Sequence, residues 1–419
     1  MNRIEKLLQK FCPDGVEFKA LGEVTIWDKK FKEVENQTKM IKFKHISAAA
    51  LKSLKCKNGT IKLLSTGNFD GFTTQDLSKD FINDDEVISL PSGGVANIKY
   101  HKGKFVDSGN LLAVSADTKT IDLKFIYYFL ISKREVIESF YRGAGVKHPS
   151  MREIFKLKIP IPPLEIQKEI VLILDAFTEL QAELQAELQA ELQARQKQYE
   201  HYRERLLSFD ELVSRSGGGG FVKMMSLGEV CQCFAGGTPK TDRVEFWDNG
   251  TISWMSSGEV NKGTIYETEK KITQLGFDKS STKMIPPNAV VLALAGQGKT
   301  RGMVARTKIS LCTNQSLCAI VPNETINYSF LYFYLKNQYM QLRQISAGDG
   351  TRGGLNLKMV ENFQIPIPPL KVQNEVVEIL DKFDALVNDI SQGLPAEMAL
   401  RKKQYEHYRE KLLSFKEKA

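Results

Sequence analysis

The chain has 419 residues, of which 42% are hydrophobic and 26% are charged. A chain of this length predicts two or more domains, and this composition suits a soluble protein with packed cores. No apolar run reaches the roughly 18 residues that a membrane-spanning helix needs, and the charged N-terminus lacks the apolar stretch of a secretory signal. Six cysteines without a regular spacing favour a reducing compartment, so we expect a cytoplasmic protein that does not bind a membrane.

The net charge of +8 is modest, but the basic residues are unevenly distributed. Ten lysines lie between Lys29 and Lys62 against only Glu33 and Glu35, a surplus of eight positive charges in one stretch. Such a patch favours the phosphate backbone of a nucleic acid. A solvated lysine-rich face without a ligand remains the alternative interpretation of the same pattern.

The chain contains three motifs twice, and the copies always lie 206 residues apart. The motif IPIPPL occupies residues 159–164 and 365–370, and LGEV occupies residues 21–24 and 227–230. The third motif is RQKQYEHYRERLLSF at 195–209, which returns as RKKQYEHYREKLLSF at 401–415. A long period seen only twice indicates a duplicated unit rather than a repeat array.

The duplication divides the chain into four segments. A variable block at 1–158 is followed by a helical segment at 159–212. A second variable block at 213–364 begins with a glycine-rich stretch at 216–220, predicted to be a flexible linker, and a second helical segment covers 365–419.

Both variable blocks have the apolar alternation and glycine-rich turns of an α+β fold. In the first block we predict a strand at 86–90, an aromatic-rich helix at 124–131 and a loop at 142–148. In the second block we predict strands at 289–293 and 317–321, a helix at 329–335 and a loop at 348–354. The sequences between the shared motifs are largely different, as expected if each block recognises something different.

The first helical segment predicts a continuous helix over 165–209, because no Gly or Pro interrupts it. Its apolar residues at 166, 170, 173, 177, 180 and 184 have coiled-coil spacing, and positions 372 to 390 repeat that spacing. Proline removes a backbone donor, so we predict a break or kink near 393–395, with Pro395 opening the next helical stretch. Two such helices are expected to pair antiparallel and hold the two blocks apart.

These motifs closely resemble the specificity subunit of type I restriction–modification systems. The resemblance rests on IPIPPL with Gln167 and Glu169, on ILDAF at 173–177, on the tandem Gln-Ala-Glu-Leu repeat at 181–192 and on the QYEHYRE ending, and the first, second and last have second copies. It implies two target-recognition domains, two long antiparallel coiled-coil helices and an internal pseudo-twofold repeat.

The resemblance also implies a function. Each recognition domain would read one half of a bipartite double-stranded DNA site, while the helices dock two methyltransferase subunits. Restriction subunits with motor and nuclease activity complete the complex. The chain itself would be non-catalytic and hold no metal or cofactor, with AdoMet, ATP and Mg²⁺ on the partner subunits.

DNA contacts divide into phosphate positioning and base reading, which favours Arg or Lys at guanine and Asn or Gln at adenine. The predicted contacts of the first block are Lys29, Lys30, Lys42, Lys44, Asn97, Lys99, Lys147 and His148. Those of the second block are Thr238, Lys240, Arg243, Gln297, Lys299, Arg301, Asn314, Gln315 and Arg352. The alternative for each is an ordinary surface turn.

Two other classes of function are open to such a sequence. One is a coiled-coil scaffold that joins two protein-binding domains without contacting DNA. The other is an enzyme, such as a nuclease that acts alone. The lysine cluster and the Gly/Arg/Gln loops favour DNA binding over the first, and the sequence contains no AdoMet-binding or helicase motif that would favour the second.

Overall fold

The computed structural model describes residues 3–35, 37, 39–296, 300–346, 354–388 and 393–418. The chain forms two compact units, one of residues 1–187 with 398–419 and the other of residues 188–397. Each unit contains both helices and strands, which confirms the α+β class. The unit boundaries cut across the four sequence segments, because each unit combines one variable block with helical residues from both copies of the repeat.

The first half of the chain contains nine helices among its described residues. They are α1 Arg3–Phe11, α2 Leu21–Val24, α3 Ala48–Ser53, α4 Gln75–Ser78, α5 Leu123–Ser132, α6 Arg134–Ser139, α7 Met151–Phe155, α8 Leu164–Leu206 and α9 Phe209–Arg215. Its strands are β1 Phe18–Ala20, β2 Thr25–Trp27, β3 Ile61–Leu64, β4 Phe72–Thr73, β5 Asn83–Leu90, β6 Lys99–Asp107, β7 Leu111–Ser115, β8 Tyr141–Arg142, β9 His148–Pro149 and β10 Lys158–Pro160. The predicted strand at 86–90 and helix at 124–131 lie within β5 and α5.

The described part of the second half follows the same plan. Its helices are α10 Leu227–Val230, α11 Gln274–Asp278, α12 Tyr328–Asn337, α13 Tyr339–Ile345, α14 Leu357–Glu361, α15 Leu370–Asn388 and α16 Leu394–Leu412. Its strands are β11 Lys223–Ser226, β12 Cys231–Ala235, β13 Ile252–Met255, β14 Thr264–Ile265, β15 Lys270–Ile272, β16 Val290–Ala293, β17 Val304–Thr307, β18 Cys312–Thr313, β19 Leu317–Pro322 and β20 Gln364–Ile367. The predicted strands at 289–293 and 317–321 and the helix at 329–335 correspond to β16, β19 and α12.

The first five strands of the main sheet of the first unit have the same order as the five strands of the main sheet of the second unit. The first unit has the strand order β2-β7-β5-β6-β3-β4, and the second has β12-β19-β16-β17-β14. In both sheets the fifth strand joins its neighbour in parallel, β3 beside β6 and β14 beside β17. The duplication therefore extends through the variable blocks, where the sequence no longer shows it.

The IPIPPL motifs form edge strands that lead into the long helices. β10 pairs antiparallel with β1, and β20 pairs with β11 in the same register, so that Phe18 faces Pro160 and Met224 faces Pro366. Proline has no N–H to donate and is tolerated in such short edge strands. The isoleucine before the first proline anchors each motif, since Ile159 and Ile365 are buried.

A buried glutamine fastens each long helix to its variable block. Gln167 Oε1 accepts the backbone N–H of Asp122 at 2.8 Å, and Nε2 donates to the carbonyls of Thr120 at 2.9 Å and Pro162 at 2.7 Å. Gln373 makes the same three bonds at the starts of α12 and α15, at 2.7–3.0 Å. Both side chains satisfy backbone groups that lie at the junction, so the motif glutamines are structural.

The helical segments pair within each unit through contacts that the repeat relates. In the first unit a hydrogen bond of 2.8 Å joins Thr178 Oγ1 to Tyr405 Oη, and the rings of Phe177 and Tyr408 lie 6.2 Å apart. In the second unit Tyr199 Oη donates to Asp384 Oδ1 at 3.1 Å, and the rings of Tyr202 and Phe383 lie 5.4 Å apart. These are the same positions of the repeat, with the two copies exchanged. This exchange of copies is the signature of internal twofold pairing. In both pairs of contacts the residue numbers run in opposite directions, so the paired segments are antiparallel.

The predicted coiled-coil seam is wrong in part. Ile166, Ile170 and Leu174 are fully buried, whereas Leu180, which the seam included, is 60% exposed. The reason is that the start of α8 packs against the core of its own block and not only against another helix. The buried residues of α8 therefore recur every four positions on the side that faces this core. The equivalent residues of α15 are buried with the same spacing.

The glycine run predicted to be a flexible linker forms a helix end. Gly217, with φ of +80°, donates to the carbonyl of Ser214 at 3.3 Å, and Gly218 donates to that of Val213 at 3.1 Å. These two bonds define a Schellman cap on α9, and its left-handed position favours glycine. In the second copy α15 ends at Asn388 and α16 begins at Leu394, so Pro395 lies in a first helical turn, while residues 389–392 lie outside the described part of the chain.

Candidate nucleic-acid interface

Four of the predicted phosphate contacts lie on one segment of the first unit. Lys29, Lys30, Lys42 and Lys44 are exposed, and all belong to residues 28–45, which follow β2. The segment leaves the sheet and returns to it, since the N–H of residue 41 donates to the carbonyl of residue 27 at 3.1 Å. The four exposed lysines therefore belong to one segment whose two ends both lie next to the sheet.

A histidine clamp holds this lysine segment on the sheet. His45 Nε2 lies 3.0 Å from Asp28 Oδ2, and Nδ1 lies 2.7 Å from Asp107 Oδ2. Both carboxylates are fully buried, and their hydrogen bonds, that of Asp107 first, raise the pKa of His45 to about 9. The imidazole is thus a cation at neutral pH. The sequence does not single out this group, because Asp107 lies 62 residues from His45.

Lys99, predicted as a DNA contact, is directed into its own domain. Its ammonium donates to the carbonyls of Ser65 and Gly67, both at 2.6 Å. Partial burial lowers the pKa of Lys99, although the group still forms these bonds. Lys99 therefore holds the loop at 65–71, and its contact with DNA stays a prediction, since an ammonium group has a third N–H beyond those that the two carbonyls accept.

The other predicted contacts of the first unit come together at neighbouring loops. The N–H of Gly94 donates to the carbonyl of Lys147 at 2.8 Å, and His148 Nδ1 lies 2.7 Å from the carbonyl of Ser92. The Lys147 and His148 side chains are exposed, and Asn97 is half-buried beside the same loop. The loop at 92–97 and the hairpin of β8 and β9 thus form one surface.

In the second unit the predicted amide and hydroxyl groups also meet. Thr238 Oγ1 donates to Gln315 Oε1, and Asn314 Oδ1 accepts the N–H of Ser316 at 3.1 Å. This contact depends on Gly236, because a Cβ there would lie 2.2 Å from the Thr313 carbonyl oxygen. The glycine lets the loop after β12 approach the turn before β19 closely enough to orient the Gln315 amide.

Two cations of that loop lie further along it. Lys240 is exposed, and its carbonyl accepts the indole N–H of Trp247 at 3.0 Å. Arg243 is exposed and ion-paired with Glu245 at 3.5 Å. The sequence did not indicate Lys270, whose ammonium lies 5.8 Å from the Trp247 ring centre, because β15 reaches this loop only through the fold.

Of the remaining predicted contacts of the second block, the structure describes only Arg301. Arg301 is half-buried next to Gly302, where the chain turns between β16 and β17. Gln297, Lys299 and Arg352 lie outside the described residues.

The groups assembled on the two units are ammonium, guanidinium, amide and imidazole groups. Such groups bind phosphate oxygens and base edges. Within the described part of the chain, His, Cys, Asp and Glu side chains form no group of three or more that could hold a metal ion. In the same residues no helix combines the length and the apolar character needed to cross a membrane.

Exposed lysine and arginine side chains on the loops of a domain are a feature of proteins that bind nucleic acid. The family model described as "Type I restriction modification DNA specificity domain" matches this chain twice, at residues 27–194 and 221–399. The chain belongs to this family.

Individual relatives agree with the family match. The type I restriction enzyme EcoR124I/EcoR124II specificity subunit of Escherichia coli is 36% identical over 308 residues, which cover 71% of this chain and 72% of the relative. The putative type I restriction enzyme specificity subunit S.HindORF215P of Haemophilus influenzae is 30% identical, with 98% of each chain covered. The resemblance drawn from the sequence motifs is therefore confirmed.

A solved structure supports the fold. It concerns complex assembly and conformational transition of the type I R-M system, and one of its chains matches with a TM-score of 0.62. The match covers 96% of this chain and 98% of the other, at 16% identity. At that identity the likeness establishes the shared fold alone.

Proposed function

We propose that the chain is the non-catalytic DNA-specificity subunit of a type I restriction–modification complex. Each variable block binds one half of a split double-stranded DNA site. The long helices carry two methyltransferase subunits, and restriction subunits join the full complex. AdoMet, ATP and Mg²⁺ act on those partners and not on this chain.

The observation that supports the proposal is a duplicated frame with unlike loops. Five strands of the two main sheets share one order, and the two glutamine junctions share one hydrogen-bond pattern. The loops on these frames differ, since the segment after β2 presents four exposed lysines, whereas the loop after β12 carries Thr238, Lys240 and Arg243. Equal frames with different loops suit a partner that has two half-sites of different sequence.

The helical pairing supports the scaffolding role in the same way. Contacts related by the 206-residue offset pair the helical segments in the same way in both units, so the chain is expected to carry two like helical surfaces. Two equivalent surfaces can bind two copies of one partner.

A salt titration tests the DNA-binding role. With the chain assembled with its methyltransferase subunits, replacing Lys42 and Lys44 by alanine should reduce the slope of log affinity against log salt by about 2, since each phosphate contact contributes about 0.9. The control replaces Lys6 and Lys10, two exposed lysines of α1, and should leave the slope unchanged. Equal slopes for both pairs would contradict the assignment of the lysine segment.

The alternative of a scaffold without a DNA role makes a different prediction. If the complex binds no duplex DNA even at low salt, the proposal fails and the scaffold becomes the better description. The nuclease alternative is separated by incubating the chain alone with DNA, Mg²⁺ and ATP. Cleavage under those conditions would overturn the non-catalytic assignment.

A further inference from the structure

The loop at residues 65–71 of the first unit is held from beneath by cations of its own domain. Lys99 donates to the carbonyls of Ser65 and Gly67, and Lys55 donates to that of Asp70 at 3.0 Å. Lys62 forms an ion pair with the Asp70 carboxylate, and this contact lowers the pKa of Asp70. Three ammonium groups thus fix a short loop, and two of them belong to the cluster that the sequence assigned to phosphate binding.

The backbone of this loop is consequently preorganised. Its carbonyl oxygens accept hydrogen bonds from the domain, and Ser65 Oγ adds a bond of 2.7 Å to the carbonyl of Phe69. The tip is open in contrast, because Gly67 and Asn68 are exposed and a Cβ at Gly67 would meet nothing within 4 Å. Rigid backbone beneath an open tip is the arrangement that binding loops need.

Two asparagine amides meet at this tip. Asn97 Nδ2 donates to the Gly67 carbonyl at 3.0 Å and lies 3.4 Å from Asn68 Oδ1. Among the described residues, no hydrogen-bond partner contacts the Asn68 amide nitrogen or the Asn97 amide oxygen. The Asn68 amide donor and the Asn97 amide acceptor thus belong to two amide groups that meet at the tip, where the other atoms of these groups lie 3.4 Å apart.

We infer that Asn68 and Asn97 form a base-reading pair of the first recognition domain, with adenine in the major groove as the base. Adenine presents an acceptor, N7, beside a donor, the N6 amino group, and this pattern complements an amide donor beside an amide acceptor. Guanine presents two acceptors at the same positions and does not match. The inference rests on the proposed function, since it names the base class that one half of the site must contain.

The surroundings of the pair agree with a groove contact. Asn97 belongs to the loop at 92–97, which is hydrogen-bonded to the hairpin that carries Arg142 and Lys147. Both side chains are exposed and can bind phosphates next to the base that the pair reads. The sequence did not indicate Asn68, because a Gly-Asn pair reads as an ordinary turn and its partner lies 29 residues away.

The test uses the chain assembled with its methyltransferase subunits and a duplex that contains its split site. Each adenine of the site is replaced in turn by 7-deazaadenine, which lacks the N7 acceptor. We expect one position at which the wild-type complex loses affinity about 5-fold or more, as one base contact implies. The Asn68→Ala variant should bind the unmodified duplex about 5- to 100-fold more weakly and be insensitive to deaza substitution at that position alone.

The control is Asn58→Ala, an exposed asparagine of the same domain, which should behave as wild type in every duplex. If Asn68→Ala keeps full affinity, or loses it with unchanged deaza sensitivity at every adenine, the inference is wrong while the proposed function stands. If the wild-type complex binds no split site, the proposed function itself fails. Circular dichroism of the variants separates loss of a contact from loss of the fold.

Discussion

The buried glutamine of the first helical motif allows the sharpest stability prediction. Replacing Gln167 by alanine leaves one backbone N–H and two carbonyl groups without their partner. An unsatisfied buried group costs about 1–3 kcal/mol. Thr120 lies at an exposed position, so its carbonyl regains water and contributes little. The expected loss is therefore about 2–4 kcal/mol for the junction between α8 and the first variable block.

Hydrogen exchange measured by mass spectrometry on the intact chain reports this loss locally. The amide of Asp122 should exchange faster in Gln167→Ala, because that N–H is the donor to Gln167 Oε1. Gln373→Ala should have the same effect at Asn327 in the second unit. Peptides of the other unit should not change in either variant.

The matched control is Gln185→Ala, an exposed glutamine on the same helix. Alanine is a strong helix former, so this change should stay within about 0.5 kcal/mol. Exchange at Asp122 that is equal in Gln167→Ala and Gln185→Ala would show that the three hydrogen bonds do not hold the junction.

Two further predictions concern charged groups of the two units. The free energy of unfolding of the wild type should exceed that of His45→Gln by about 2–3 kcal/mol below pH 6.5, because a raised pKa stabilises the fold while the imidazole is protonated. This difference should vanish as the pH rises through about 9. A difference that grows with pH would refute the clamp. Asp381→Ala should lower the free energy of unfolding in urea by about 3–5 kcal/mol, because it leaves the 10% exposed side chain of Arg306 as a buried charge without its partner. Asp175, at the equivalent position of the first copy, pairs with Lys124, which is 29% exposed. Asp175→Ala should therefore cost only about 1–2 kcal/mol. Equal costs for the two aspartates would contradict this difference in burial.

Several features could be predicted from sequence because they depend on neighbours along the chain. The helix over 165–209 was predicted from helix-forming residues and the absence of Gly and Pro, and the structure places α8 at Leu164–Leu206. The apolar strands at 86–90, 289–293 and 317–321 were predicted from their alternation and length. The family was predicted from motifs that repeat at one offset, and the comparisons confirm it.

Other features could not be predicted because they depend on residues far apart in sequence. Lys99 was predicted to contact DNA, and only the fold shows that its ammonium donates hydrogen bonds to two carbonyls of another loop. The glycine run appeared flexible, although its positive φ angles cap a helix. Leu180 fitted a coiled-coil spacing but remains exposed, because spacing does not specify what a helix side faces.

The sequence by itself determined the duplication, the long helix and the class of protein, since periodicity and motif identity are local properties of the chain. Only the tertiary structure decided that the variable blocks share one strand order and that a glutamine locks each to its helix. It alone also decided which lysines face solvent and which hold loops. The physical reason is that burial, hydrogen bonding and the state of a titratable group depend on the groups that folding brings together, and these lie as far as 62 residues apart at the His45 clamp.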